Sequence, residues 1–314
     1  MQIDKDTQAL IDERLKNNAP ALESFTPKEL RALRAKMAET PLELRVEISH
    51  LENSSLKGTL GEIPIRKYSD LLSNHVKAPV IIYFHGGGFV MGDLESHDLV
   101  CRHLCKKTKA TIIAVDYRLA PEHKFPAPVI DTKDAITQII KNSDKYNIDT
   151  NKVILCGDSA GGTLATVGTI MSRDKVVPKV HGQILVYPWV DLTMCRRSID
   201  IELEGMILNK KTINYFADHY LNNKEEQVDW RASPILTPDL SGLPPTYIYG
   251  AGLDPLVDEG DAYKRRLLSF GNEVHYRLFP GQMHAFLSNS VQLPTALTCI
   301  KEMSEAAQKI FVNL

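Results

Sequence analysis

Apolar residues recur along this 314-residue chain with two different periods. From about Asp6 to Leu15 they fall at helical spacing, at Leu10, Ile11 and Leu15. Thr26-Pro27-Lys28-Glu29 reads as a cap with proline in the first helical turn. Leu30, Leu33 and Met37 continue that second helix, and Pro41 is expected to end it. From Val46 the period drops to two, because Val46-Glu47-Ile48-Ser49-His50 alternates apolar with polar side chains. Leu60 to Ile65 follows, and Pro64 within it predicts an edge strand, since proline cannot donate to a central ladder.

Beyond this point short apolar runs alternate with helical patterns. Runs at 79–84, 110–115, 153–156, 182–187, 246–249 and 274–279 read as buried strands. Helices are expected at 94–108, at 128–142 (opened by Asp131 and Asp134), after Ser159, at 259–270 and at 294–311. Continuous apolar strands separated by helices predict an α/β fold, with a mostly parallel sheet covered on both faces. The stretch 191–238 breaks the alternation. It is polar, it is expected to be mainly helical with 211–221 as its clearest helix, and it predicts an insertion over one edge of the sheet.

Composition narrows the classes of partner. Hydrophobic residues make up 43% and charged residues 24%, with a formal net charge of −2, so no basic surface for nucleic acid is expected. The longest apolar runs, such as Pro79 to Phe84, fall far short of the roughly 20 residues of a spanning helix, so no stable membrane insertion is expected. The charged first residues carry no apolar leader, and five scattered cysteines form no disulfide framework. Both point to a reducing, cytoplasmic setting. Cys101-Arg102-His103-Leu104-Cys105 has no second ligand pair at zinc-like spacing, so no metal is expected there. Cys156 reads as a small buried residue.

Ligands of open parallel sheets bind where strands end, and four strand ends carry chemistry. After 153–156 comes Gly157-Asp158-Ser159-Ala160-Gly161, then a helix. Glycines on both sides allow the sharp turn that projects the Ser159 hydroxyl, as a nucleophile requires. After 79–84 comes His85-Gly86-Gly87-Gly88, whose bare backbone suits an oxyanion hole. The N–H groups of Gly87 and Gly88, with that of Ala160, are the preferred donors. After 246–249 comes Asp254, an acid able to orient an imidazole, with Asp258 as a rival that also has a helix-cap explanation. After 274–279 comes His284, the candidate base. His123 is a second histidine to weigh, but it precedes Ser159 and so breaks the order serine, acid, histidine. The proline-rich loop 116–128 is expected to support the site rather than react.

These segments together resemble the hormone-sensitive-lipase branch of the α/β-hydrolase superfamily, among its bacterial-type esterases. The likeness rests on His85 to Phe89, Asp116-Tyr117-Arg118-Leu119-Ala120-Pro121-Glu122, Gly157 to Gly162, Asp254-Pro255-Leu256 and His284-Ala285-Phe286. Asp158 places the chain with the Gly-Asp-Ser-Ala-Gly subgroup. Two departures stand out: Val257 where arginine is common, and Ala285 where glycine is common. The resemblance implies hydrolysis of short- to medium-chain carboxylic esters through Ser159, His284 and Asp254, without a cofactor. It implies one hydrolase domain over 1–314, with a helical cap built from about 1–45 and 191–238. Phe89, Met206, Ile207, Leu208 and Phe216 are the expected pocket residues. A homodimer through the last strand is a further family trait. Two other classes share the fold: amide hydrolases with the same triad, and receptors that have lost the histidine.

Overall fold

Alternate residues of β3 (Ala78–Phe84) face opposite ways, and each set meets a different core. Val80, Ile82 and Phe84 join the cluster containing Ala135, Ile136 and Leu164, whereas Ile81 and Tyr83 join the one containing Val100, Leu104 and Ile300. Two apolar faces demand two helical layers. Helices α4 (Ala127–Lys141), the single-turn α5 (Ser143–Tyr146), α6 (Ala160–Arg173) and α8 (Val257–Ser269) cover the first face; α3 (Asp98–Thr108) and α9 (Thr295–Val312) cover the second. The computed structural model describes residues 2–37, 45–71 and 76–313. Pro41, the expected end of the second helix, lies outside them.

The sheet also contains β1 (His50–Gly58), β2 (Gly61–Ser69), β4 (Thr111–Val115), β5 (Ile148–Asp158), β6 (Gly182–Val186), β7 (Thr246–Leu253) and β8 (Val274–Met283). Their spatial order is β1-β2-β4-β3-β5-β6-β7-β8. Strands β3 to β8 run parallel, and β2 is antiparallel to both β1 and β4. The expected parallel sheet with helices on both faces is present. Two details at its antiparallel edge differ from expectation. The strand predicted at 46–50 starts only at His50, and β1 then runs through a polar stretch in which Leu56 alone is buried. Pro64 sits in β2, which has a neighbour on each side. Its carbonyl accepts the Asp116 N–H at 2.9 Å, just past the end of β4, so its missing N–H also faces a point where the ladder has stopped.

Helix α1 (Lys5–Lys16) and helix α2 (Pro27–Met37) precede the sheet. Thr26 and Glu29 close a reciprocal cap on α2: the Thr26 N–H donates to Glu29 Oε2 at 2.8 Å, and the Glu29 N–H to Thr26 Oγ1 at 3.3 Å. The stretch 191–238 contains one α-helix, α7 (Lys210–Tyr220), and three short 3-10 turns, so it is less helical than expected. It joins β6 to β7, which are neighbours inside the sheet, and therefore rises from the strand ends rather than from an edge. Asp131 does not open α4 as a solvent-facing acid. It is fully buried and accepts from Arg118 Nε at 2.9 Å. No helix among the described residues is long and apolar enough to cross a membrane.

Candidate active site

Four strands deliver their next residue to one place. His85 follows β3, Ser159 follows β5, Asp254 follows β7 and His284 follows β8. Ser159 has φ 53° and ψ −122°, a conformation that side chains rarely adopt. Three hydrogen bonds hold it there: its N–H donates to Val186 O at 2.9 Å, and its carbonyl accepts from Trp189 at 3.1 Å and Thr163 at 3.2 Å. Gly161 packs α6 so closely on the end of β3 that a side chain there would collide with the Phe84 and His85 carbonyls.

The Ser159 Oγ lies 2.9 Å from His284 Nε2. On the other side of the ring, His284 Nδ1 lies 2.7 Å from Asp254 Oδ2. An ionised carboxylate only accepts, so Nδ1 carries the proton and Nε2 is free to accept from the serine hydroxyl. Asp254 is fully buried, and its Oδ1 accepts the Leu256 N–H at 2.8 Å. Tyr187 packs its ring 4.6 Å from the His284 ring and fixes its tilt. Asp258 does not reach His284; its Oδ2 accepts the Ser198 N–H at 2.9 Å and ties the 191–238 stretch to α8. His123 is exposed, away from the cavity.

The glycine loop lies across from this chain of bonds. Gly87 has φ 127° and Gly88 φ 61°, so both occupy backbone regions that favour glycine. The Gly86 N–H is taken by Asp158 Oδ1 at 3.0 Å. Among the described residues no acceptor engages the N–H of Gly87, Gly88 or Ala160. His85 stacks on Tyr117 at 4.4 Å, and Tyr117 Oη donates to the His85 carbonyl at 2.7 Å. The proline-rich loop thus braces the glycine loop, as expected of a support.

Sequence reasoning gave Asp158 no task. The structure buries it under the glycine loop, where it also accepts from Tyr83 Oη at 2.8 Å and lies 3.3 Å from His97 Nε2. Burial alone would raise its carboxyl; His97 and Tyr83 outweigh that and hold it below the ordinary range. No local motif marks Tyr83 or His97 as its partners, since they lie 75 and 61 residues away along the chain.

A cavity of about 320 Å³ opens over Ser159 and His284. Ile207, Leu208 and Phe216 line it as expected, together with Leu22, Phe25 and Leu33 from the N-terminal stretch. Phe89 and Met206 do not line it. Phe89 is fully buried with φ 63°, and its ring stacks on Tyr220 at 3.8 Å inside the core. Met206 is buried at 7% exposure beside the cavity wall residues but contributes none of the lining. Arg14 and Arg34 do line the cavity, and sequence reasoning gave neither a role.

Comparison with known proteins adds to this geometry. A family pattern described as alpha/beta hydrolase fold matches residues 81–288. Carboxylic ester hydrolase LipN of Mycobacterium tuberculosis is 37% identical over 252 residues, covering 78% of this chain and 66% of LipN, just under two thirds of its length. Carboxylesterase NlhH of the same species is 32% identical over 271 residues, 85% of each chain. The ester-hydrolase EH1AB1 from the metagenome of Lake Arreo, solved with a bipyridine phosphonate derivative, superposes with a TM-score of 0.91 at 34% identity over 99% of both chains.

Proposed function

From the premise that this chain belongs to the α/β-hydrolase family, in its hormone-sensitive-lipase-like branch of carboxylesterases, we propose that it hydrolyses short- to medium-chain carboxylic esters with Ser159 as nucleophile. The observation that carries this reading is the unbroken pair of hydrogen bonds from Ser159 through His284 to Asp254, at 2.9 and 2.7 Å.

The chemistry follows from the geometry. His284 Nε2 takes the Ser159 proton as Oγ attacks the ester carbonyl. Asp254, fixed on the far side of the ring, stabilises the imidazolium that results. The negative charge moves to the carbonyl oxygen, where the N–H groups of Gly87, Gly88 and Ala160 receive it. Each donor is worth about 2.7–4 kcal/mol in the transition state. His284 then gives its proton to the departing alcohol. Water, deprotonated by the same nitrogen, attacks the acyl-serine, and the acid leaves. No step calls for a metal or an organic cofactor.

A cavity of about 320 Å³ suits a small ester, since ligand pockets run from about 300 to 1,000 Å³. In this reading α1, α2 and the 191–238 stretch form a cap whose apolar side chains sort acyl groups. A homodimer joined along β8, an edge strand of the sheet, also belongs to it and is checked by sedimentation. Hydrolysis of p-nitrophenyl esters of graded chain length tests the activity. The rate is expected to peak at short to medium chains, and Ser159→Ala to lower kcat roughly ten-thousandfold or more. A phosphonate ester is expected to label Ser159 alone. Labelling that survives Ser159→Ala, or equal rates for that variant and the parent, would sink the proposal.

A further inference from the structure

Two arginines line the cavity that holds Ser159 and His284: Arg14 from α1 and Arg34 from α2. Much of the remaining wall is apolar, with Leu22, Phe25, Leu33, Ile207 and Phe216 among its residues. Arg14 spends its Nε on the Gly205 carbonyl, 2.9 Å away. Among the described residues, its two terminal nitrogens and the whole guanidinium of Arg34 make no hydrogen bond. Nor are the Arg34 nitrogens sealed inside protein; they keep access to open space.

Charge nearby does not satisfy them. Asp158 is the one carboxylate among the lining residues, and it already serves Tyr83, Gly86 and His97. Asp93 acts on Arg34 through space, but its Oδ1 accepts the Ser96 N–H at 2.7 Å. Burial weakens the hold of both arginines on their protons, most plainly at Arg34, where the fields of Asp158 and Asp93 only partly offset it. Holding a guanidinium in a largely apolar wall, with less water around it than in bulk, carries a desolvation cost. An arriving anion relieves that cost, and the planar fork of a guanidinium fits a carboxylate best.

We infer that this cavity selects esters carrying a second, unreacting anionic group, above all a carboxylate, which Arg34 receives with Arg14 beside it. The inference rests on the ester-hydrolase reading and deepens it by naming the substrate class.

Matched pairs of esters test it. On the acyl side, mono-p-nitrophenyl succinate and glutarate are set against p-nitrophenyl butyrate and valerate. On the alcohol side, aryl acetates bearing a carboxylate are set against their methyl-capped analogues. Each kcat/KM is divided by the rate of hydroxide hydrolysis, and the readout is the anionic-to-neutral ratio. That ratio is expected to exceed one in at least one arm. Arg34→Gln is expected to lower it about tenfold or more, the scale of a lost hydrogen bond between charged groups. Arg34→Lys is expected to keep part of it, and Arg14→Gln to lower it less. The arm that responds tells which half of the ester faces the arginines. Should Arg34→Gln fold poorly, added salt acts on the parent enzyme: it is expected to slow the anionic ester and spare the neutral one. A ratio that neither Arg34→Gln nor Arg34→Lys moves in either arm, or that salt leaves unchanged, overturns the inference. If the parent cleaves neutral esters and Ser159→Ala does not, that failure belongs to Arg34 alone. If no ester of either charge is cleaved, the ester-hydrolase reading fails instead.

Discussion

Asp158 sits immediately before the candidate nucleophile and is 3% exposed, yet its carboxyl is held below the ordinary range, so it stays charged at neutral pH. Its oxygens engage the Gly86 N–H, Tyr83 Oη and His97. That places one charge under both the glycine loop and the serine turn. It touches no reacting atom and acts as a positioning residue. Asp158→Asn keeps the shape and removes the charge, and one of its two acceptor atoms becomes a donor. The expected result is a fall in kcat of about 100-fold, the scale of a misplacement near 1 Å, with KM for a short ester little changed. Steady-state kinetics beside an unfolding curve checks this. A KM effect with kcat preserved would place Asp158 in binding instead. Ser159, Asp254 and His284 were legible because each lies a few residues past the end of an apolar run. The partners of Asp158 were not, because only folding brings Tyr83 and His97 to it. Phe89 misled for a related reason: adjacency to the glycine loop does not say to which side a ring turns, and φ 63° turns this one into the core. Ala285, flagged for its side chain, does adopt a left-handed φ of 65°.

Between elements, the glycine loop approaches α7 closely at Gly88. A Cβ added to Gly88, already at φ 61°, would strike the ring of Phe216. Gly88→Ala therefore strains the loop backbone and drives a methyl group into α7. It is expected to lower kcat about 100- to 1,000-fold, as losing one oxyanion donor does. Phe216→Ala clears the obstruction, so the double variant is expected to regain part of that loss. A double variant no faster than Gly88→Ala would assign the whole effect to backbone strain. Among the elements, the buried parallel strands and their helices were legible, since continuous apolar runs have one structural meaning in an α/β chain. The antiparallel edge was not. β1 is largely solvated, so its sequence carries no burial pattern, and the alternation at 46–50 lies in coil up to Ser49. The stretch 191–238 looked more helical than it is because its apolar positions serve the cavity and the core beneath, which need no helical period.

At the scale of the whole molecule, stability depends on how the sheet is fastened to what rises above it, and Glu259 is one fastening. It lies on α8, fully within the protein, and its Oε2 accepts the N–H groups of Val190 at 2.6 Å and Asp191 at 2.8 Å, where the chain leaves β6 for the long connection to β7. Burial pushes this carboxyl well above its usual range, and the charge of Asp191 pushes it further, against the two N–H donors. A carboxyl raised in the folded state binds its proton more tightly there than in the unfolded chain. Its contribution is therefore complete below the unfolded value of about 4.3 and is lost as pH rises through the folded value. Asp158 has the opposite sign: lowered when folded, it contributes fully above the unfolded value of about 3.9 and loses that contribution as pH falls. Glu259→Gln keeps a carbonyl oxygen for the two N–H groups and has no proton to lose. Its stability is expected to be flatter than the parent's from about pH 5 upward, and at alkaline pH to equal or exceed it. Glu259→Ala leaves both donors unpaired and is expected to cost about 2 kcal/mol or more throughout. Urea unfolding of the three proteins across that range decides it. Parallel curves for the parent and Glu259→Gln would mean that Glu259 takes up its charge without cost, and that burial at this junction does not set the pH dependence of the fold.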